Sequence, residues 1–349
     1  MRNRYLDLLR AIAIVRVVVY HSTGWVALTI AFPAMSVMFA LAGSLMAASL
    51  DRSGPAAVER RLRRLLPSLW VMSAIAVPAM LLTGLAWDWK ILYWAFPLQD
   101  PPATGFWMDG LAAMWYLRDF LWLVLLSPLV LPVFRRFPIA TIAVPYVVLA
   151  AITFTEVNPP PVVRDLALYG GAWLLGFAHH DGLLAGRRRW WPAAALAVAG
   201  AAWTLTHPGP RGYDLNDIPL GNALWSAAFI LVALGFAPEV RPHRILTVLN
   251  ARALTVYLWH VPLIVAVVRF AEAHGLPVFG WVGIGWRLAV VTVLLAVLVV
   301  LVGWVEDVAA GRRPVLLPGR RPPVPVSPPP AGVALVGPGP FQRARTTSG

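Results

Sequence analysis

The stretch LLRAIAIVRVVVYHS, residues 8–22, is apolar enough for a membrane-spanning helix yet carries Arg10, Arg16 and His21. Guanidinium groups grip phosphates and carboxylates through paired, charge-assisted hydrogen bonds. A neutral imidazole accepts a proton from a hydroxyl. Arg10 and His21 are eleven residues apart, about 20° past three full helical turns, which puts them on one face roughly 16 Å apart along the axis. Asp7 falls about 60° from Arg10 and joins that face, whereas Arg16 sits about 120° away and is expected to point elsewhere. One stripe then presents a carboxylate and a guanidinium at one mouth of the helix and an imidazole near mid-membrane. Such groups are costly inside a membrane and are functional candidates for that reason. The plainer uses are an interfacial anchor for Arg10 and a helix–helix hydrogen bond for His21.

Three further groups carry chemistry. Arg60, Arg61, Arg63 and Arg64 enter a helix, where Arg60 and Arg64 share a face and Arg61 lies three residues from Arg64. This suits either phosphate binding or plain topology-setting charge. His260, with Tyr257 one turn before it, can pair with His21, contact substrate or bond a neighbouring helix. His179, His180 and Asp181 are adjacent, but neighbouring side chains diverge on a helix, so no metal site is expected. The tryptophans Trp87, Trp89, Trp94, Trp107 and Trp115 suit a membrane interface or a sugar-stacking platform. With no cysteine, thiolate metal sites and acyl-cysteine intermediates are excluded.

The elements that position these groups are transmembrane helices. The 349 residues are 59% hydrophobic and 13% charged, with mean hydropathy +0.70, beyond the range of soluble domains. The predicted fold is all-α and polytopic, about ten spans with no soluble domain: 8–30, 33–50, 67–86, 111–134, 138–154, 163–179, 190–206, 219–237, 253–271 and 286–305. Residues 1–310 form the membrane domain. Residues 311–349, rich in Pro, Gly and Arg, are expected to be a disordered tail. With the N-terminus inside, alternate loops hold 22 of the 29 basic residues and the opposite loops six. Both termini are therefore expected in the cytoplasm, in a multi-pass protein of the cytoplasmic membrane. The net charge of +13 is explained by these clusters, and no nucleic-acid partner is expected. The predominance of arginine over lysine hints at a GC-rich bacterial genome.

Arg10 and His21, with ten residues between them, match the Arg/Lys-x10-His signature that opens the acyltransferase-3 family of bacterial integral-membrane acyltransferases, and Asp7 fits its lead-in. RRLRRLLP resembles the family's Arg-x-x-Arg (Arg61, Arg64) before a proline. MWYLRDFLWLVLLSP and TVYLWHVPLI resemble its later Trp-aromatic-Leu and Tyr-Leu-x-His-x-Pro segments. The likeness covers about residues 4–305. Two departures stand out. FALAGSL replaces the frequent Phe-x-x-Ser-Gly-Phe, and Arg118 and Asp119 stand out of register with a glutamate common after the tryptophan, so that role is not carried over.

The resemblance implies an O-acyltransferase that moves an acyl group, usually acetyl, from cytoplasmic acyl-CoA to a hydroxyl of a glycan, another cell-envelope molecule or a small molecule. Polysaccharide O-acetylation would be one such role. Acyl-CoA is then a co-substrate, with no bound cofactor. Arg10, Arg61 and Arg64 would hold its phosphates, and His21 would act as general base or become a transient acyl-histidine. Asp7, Tyr257 and His260 are candidate supporting residues. The rivals are a secondary transporter, which would want repeats and mid-membrane carboxylates, and a lipid-linked-sugar glycosyltransferase, which would want acidic pairs in the first outer loop.

Overall fold

The computed structural model describes residues 4–111, 114–236, 238–316 and 318, and among them the protein is helical, with one isolated bridge between Gly209 and Gly212. The expected tail over 311–349 lies almost wholly outside the described residues. Ten helices of 15 to 27 residues form the body. They are α1 (Arg4–Thr23), α2 (Ala34–Ser53), α3 (Ala56–Leu82), α4 (Met114–Arg136), α5 (Pro138–Thr155), α6 (Pro161–His180), α7 (Trp190–Thr206), α8 (Pro219–Ala233), α9 (Ala253–Ala273) and α10 (Gly280–Val302). Each of the ten expected segments falls on one of them. Six stretches are long and apolar enough to cross a membrane: α3, α4, α5, α9, α10 and residues 27–53.

Three boundaries differ from expectation. The first segment is not one helix over 8–30. Gly24, at φ +70°, donates its amide to the Tyr20 carbonyl at 2.7 Å and closes α1, and a short helix over Ala27–Ala31 follows. α3 begins at Ala56 rather than near Pro67 and runs straight through that proline, so the arginine cluster is already helical. α10 starts at Gly280, six residues early.

The body is held by close helix contacts rather than by a water-driven core. The most extensive pairing is α2 with α6. A Cβ on Gly43 would lie 2.3 Å from the Trp173 carbonyl oxygen, and one on Gly176 would lie 2.1 Å from that of Ala40. Glycine is required at both, the small-residue packing by which helices approach in lipid. The periphery is apolar. α5 buries only Leu149, while Ile139, Val144 and Phe154 are exposed, as are Val293 and Leu301 on α10. Such a surface suits lipid and not water, and with the apolar helices it defines a multi-pass membrane protein.

The N-terminal ends of α1, α3 and α9 gather with the C-terminal end of α2 around shared side chains, and Arg135 at the C-terminal end of α4 bonds Asp51 there. This is the arginine-rich end. There Arg252, fully buried before α9, bonds Asp307 at 2.6 Å, and Glu306 accepts from the Thr255 backbone amide at 2.8 Å and from its hydroxyl at 2.6 Å. These contacts tie the start of α9 to the segment that follows α10.

Candidate active site

Among the described residues, the groups singled out above line two cavities. The first opens at the arginine-rich end, has a volume of about 630 Å³, and is lined by Arg10, Arg52, Arg60, Arg61 and Arg64 with Ser49, Tyr116, Tyr257 and Glu306. Helical spacing selects among the α3 arginines. Arg60, Arg61 and Arg64 face the cavity, whereas Arg63 lines a separate lateral groove and pairs with Glu59 one turn earlier. Arg10 comes from α1 and lies 3.9 Å from Asp7, the neighbour expected on its face. Glu306 is the one acid in this lining and is engaged with Thr255. A cavity with five guanidinium groups against one engaged carboxylate has the chemistry to take up an anion.

The second cavity, of about 660 Å³, opens at the opposite end and is lined by His21, Arg16, Tyr20, Trp115, Tyr169, Tyr257 and several ion pairs. Arg118, 1% exposed, bonds Asp119 at 2.9 Å and also contacts Asp100 and Asp165. Arg211, from the loop between α7 and α8, clamps Asp217 with bonds of 2.9 and 2.7 Å and donates to the Tyr20 hydroxyl at 2.7 Å. Tyr20 donates in turn to Asp214 at 2.6 Å. This chain of bonds ties the loop to α1. The Arg211 guanidinium holds the Asp217 carboxyl below the usual carboxylate range.

His21 occupies the last turn of α1 and is exposed to this second cavity. Its ring lies against that of His260 on α9, centroids 5.2 Å apart. His260 is fully buried, with Nδ1 2.6 Å from the Tyr257 carbonyl oxygen. A carbonyl only accepts, so Nδ1 carries the proton and Nε2 presents a lone pair. That Nε2 has no hydrogen-bond partner among the described residues. An acceptor without a partner therefore stands beside the imidazole that faces the cavity. Tyr257 belongs to the lining of both cavities. Its ring packs 4.8 Å from Tyr116, and Phe39, Tyr169 and Trp115 continue the aromatic layer.

Arg10, Arg61 and Arg64 thus share one cavity, His21 faces the other, and Tyr257 and His260 stand between, while Asp7 accompanies Arg10. Three expectations need correction. Arg16 does not point away: the break at Gly24 folds the chain back, Arg16 donates to the Leu28 carbonyl at 3.0 Å, and its side chain lines the cavity of His21. His21 sits at the end of α1 rather than in the middle of a longer span. Of the five tryptophans, Trp115 alone lines either cavity: Trp94 is buried, and Trp87 and Trp89 are exposed at the surface. Sequence reading also missed Arg118 with its carboxylates, and Tyr20 with Arg211. Charge within an apolar helix was the available signal for Arg118, whereas the pairing of Tyr20 with Arg211 spans 191 residues and leaves no local trace.

At the arginine-rich end Asp51, His180 and Asp181 come close enough to share an ion. Arg135 already occupies that role, bonding both oxygens of Asp51 at 2.8 and 2.9 Å and both of Asp181 at 2.9 Å. His179 turns away to Ser44, 2.9 Å distant.

A family model described as an acyltransferase domain, Acyl_transf_3, matches residues 3–305, nearly the whole helical body. The chain belongs to this acyltransferase-3 family, and the match supports an acyltransferase embedded in a membrane. No curated protein and no solved structure matches it.

Proposed function

We propose that the protein is an O-acyltransferase that takes an acyl group, acetyl in the simplest case, from acyl-CoA in the arginine cavity and passes it to a hydroxyl in the His21 cavity. The observation that carries this reading is that two unlike cavities share Tyr257 in their linings. Arg10, Arg61 and Arg64 hold the donor's phosphates, and the narrower thioester arm runs past Tyr116 and Tyr257 toward His21. The aromatic layer keeps bulk water from the thioester.

His21 acts as general base. In the reacting complex the unpartnered Nε2 of His260 takes the N–H of His21, the other imidazole nitrogen takes the proton of the acceptor hydroxyl, and the oxygen attacks the thioester carbonyl. The carbon–sulfur bond breaks as the ester forms, and the proton passes from His21 to the departing CoA thiolate. Direct attack needs only the lone pair that the His21–His260 pairing exposes, so it is preferred to a covalent acyl-histidine. The 22-to-6 division of basic residues supports a reading in which the arginine-rich end and both termini are cytoplasmic. The acceptor then enters from the far side of the membrane, as a glycan or other envelope molecule would.

The test uses purified protein in detergent with acetyl-CoA, a hydroxyl-bearing sugar as acceptor and a thiol reagent that reports free CoA. The native protein releases CoA thiol, and His21→Ala lowers that rate by about 10²–10⁴-fold. Equal rates would refute the assignment of His21. Uptake and counterflow in liposomes without thiol release would favour a transporter instead.

A further inference from the structure

Arg16 is not accounted for by the reaction above. It is 9% exposed, its Nε bonds the Leu28 carbonyl at 3.0 Å, and its guanidinium lies 4.8 Å from the centroid of the Tyr20 ring. Its two terminal nitrogens donate to no protein atom among the described residues, and it lines the His21 cavity. The other cations of that lining are matched. Arg118 contacts Asp100, Asp119 and Asp165, Arg164 lies 3.4 Å from Asp165, and Arg211 grips Asp217. Arg16 is the lining cation with no carboxylate in contact among the described residues. A guanidinium withdrawn from water without a counter-charge is costly, and such residues mark binding sites. Structural support for the Gly24 break accounts for Nε alone.

Resting on the acyltransfer reading, we propose that Arg16 binds an anionic substituent of the acceptor, so that the acceptor is an acidic sugar or polyol bearing a carboxylate or phosphate beside the hydroxyl to be acylated. Arg16 and His21 are five residues apart on α1, roughly 7.5 Å along its axis and about 140° around it, and both line this one cavity, where a sugar with a charged substituent would contact both. Trp115, stacked on Tyr169 at 5.1 Å, adds an aromatic wall suited to a sugar ring. The planar fork of Arg16 has two free donors for two oxygens of one anion.

The test compares glucuronic acid, glucose 6-phosphate and glucose as acceptors, with acetyl-CoA saturating. The native protein should show a KM at least tenfold lower for one or both acidic sugars than for glucose. A preference for glucuronic acid identifies a carboxylate site and one for glucose 6-phosphate a phosphate site. Arg16→Gln should erase the gap, and Arg16→Lys should keep part of it. Acetyl-CoA turnover with equal KM values for all three, or with transfer to neither acidic sugar, overturns the proposal, and so does a gap that survives in Arg16→Gln. The comparison among acceptors on the native protein holds even if Arg16→Gln does not fold. Absence of any acetyl-CoA turnover would instead overturn the acyltransfer reading on which the proposal stands.

Discussion

His21 and His260 present their imidazoles to each other with ring centroids 5.2 Å apart, one from the last turn of α1 and the other from the first half of α9. The Tyr257 carbonyl fixes the His260 tautomer and leaves its Nε2 without a partner beside the His21 ring. In the proposed mechanism His260 is a positioning residue. His260→Ala should lower kcat by up to about 10²-fold, the cost of a misplaced base, while the KM for acetyl-CoA stays near its native value because His260 is not in the arginine cavity. His260→Asn, which keeps a side-chain acceptor, should recover part of the loss. Native kcat in a well-folded His260→Ala protein would show that the contact is packing only.

Donor binding is tested by replacing arginine with lysine. Arg61→Lys with Arg64→Lys keeps every positive charge but removes the planar fork. Each charge-assisted bond is worth about 1.5–3 kcal/mol, so the KM for acetyl-CoA should rise tenfold or more with a smaller change in kcat, the pattern of lost uniform binding. Arg63→Lys is the control, since Arg63 faces a separate groove beside Glu59. An unchanged KM in the double variant, or an equal rise in the control, would return the cluster to setting topology.

The contact of α2 with α6 should be intolerant of a single methyl group. Gly176→Ala places a Cβ where the backbone of Ala40 and Ser44 already lies, and overpacking of this kind costs roughly 1–3 kcal/mol. The thermal unfolding midpoint in detergent should fall for Gly176→Ala and for Gly43→Ala. Gly285→Ala on α10, where nothing lies within 4 Å, should be neutral or slightly stabilising. A native midpoint in Gly176→Ala would mean that the two helices stand further apart than described.

The helices and much of the site were legible in the sequence because both follow from local periodicity. Eleven residues of helix align Arg10 with His21, and i, i+4 spacing separates Arg60 and Arg64 from Arg63. Where the chain folds back, local rules fail. Gly24 follows His21, Ser22 and Thr23, a local stop signal that is masked because the apolar pattern resumes at Trp25. The return of Leu28 to Arg16 has no such signal. Arg118 was legible as an anomaly only, since its partners Asp100 and Asp165 come from a loop and a different helix. The division of the site into two cavities sharing Tyr257 depends on the packing of several helices, and spacing along one helix cannot show it.

The central claim is that donor and acceptor occupy different cavities reached from opposite faces of the membrane. The absence of cysteine makes single-cysteine labelling the most direct measurement. Ser49 lines the arginine cavity and Met35 the His21 cavity. In sealed membrane vesicles of known orientation, an impermeant maleimide should label Ser49→Cys from the cytoplasmic face and Met35→Cys from the other. Acetyl-CoA should slow labelling of Ser49→Cys several-fold and leave Met35→Cys unaffected. Labelling of both from one face, or protection of Met35→Cys alone, would contradict the account.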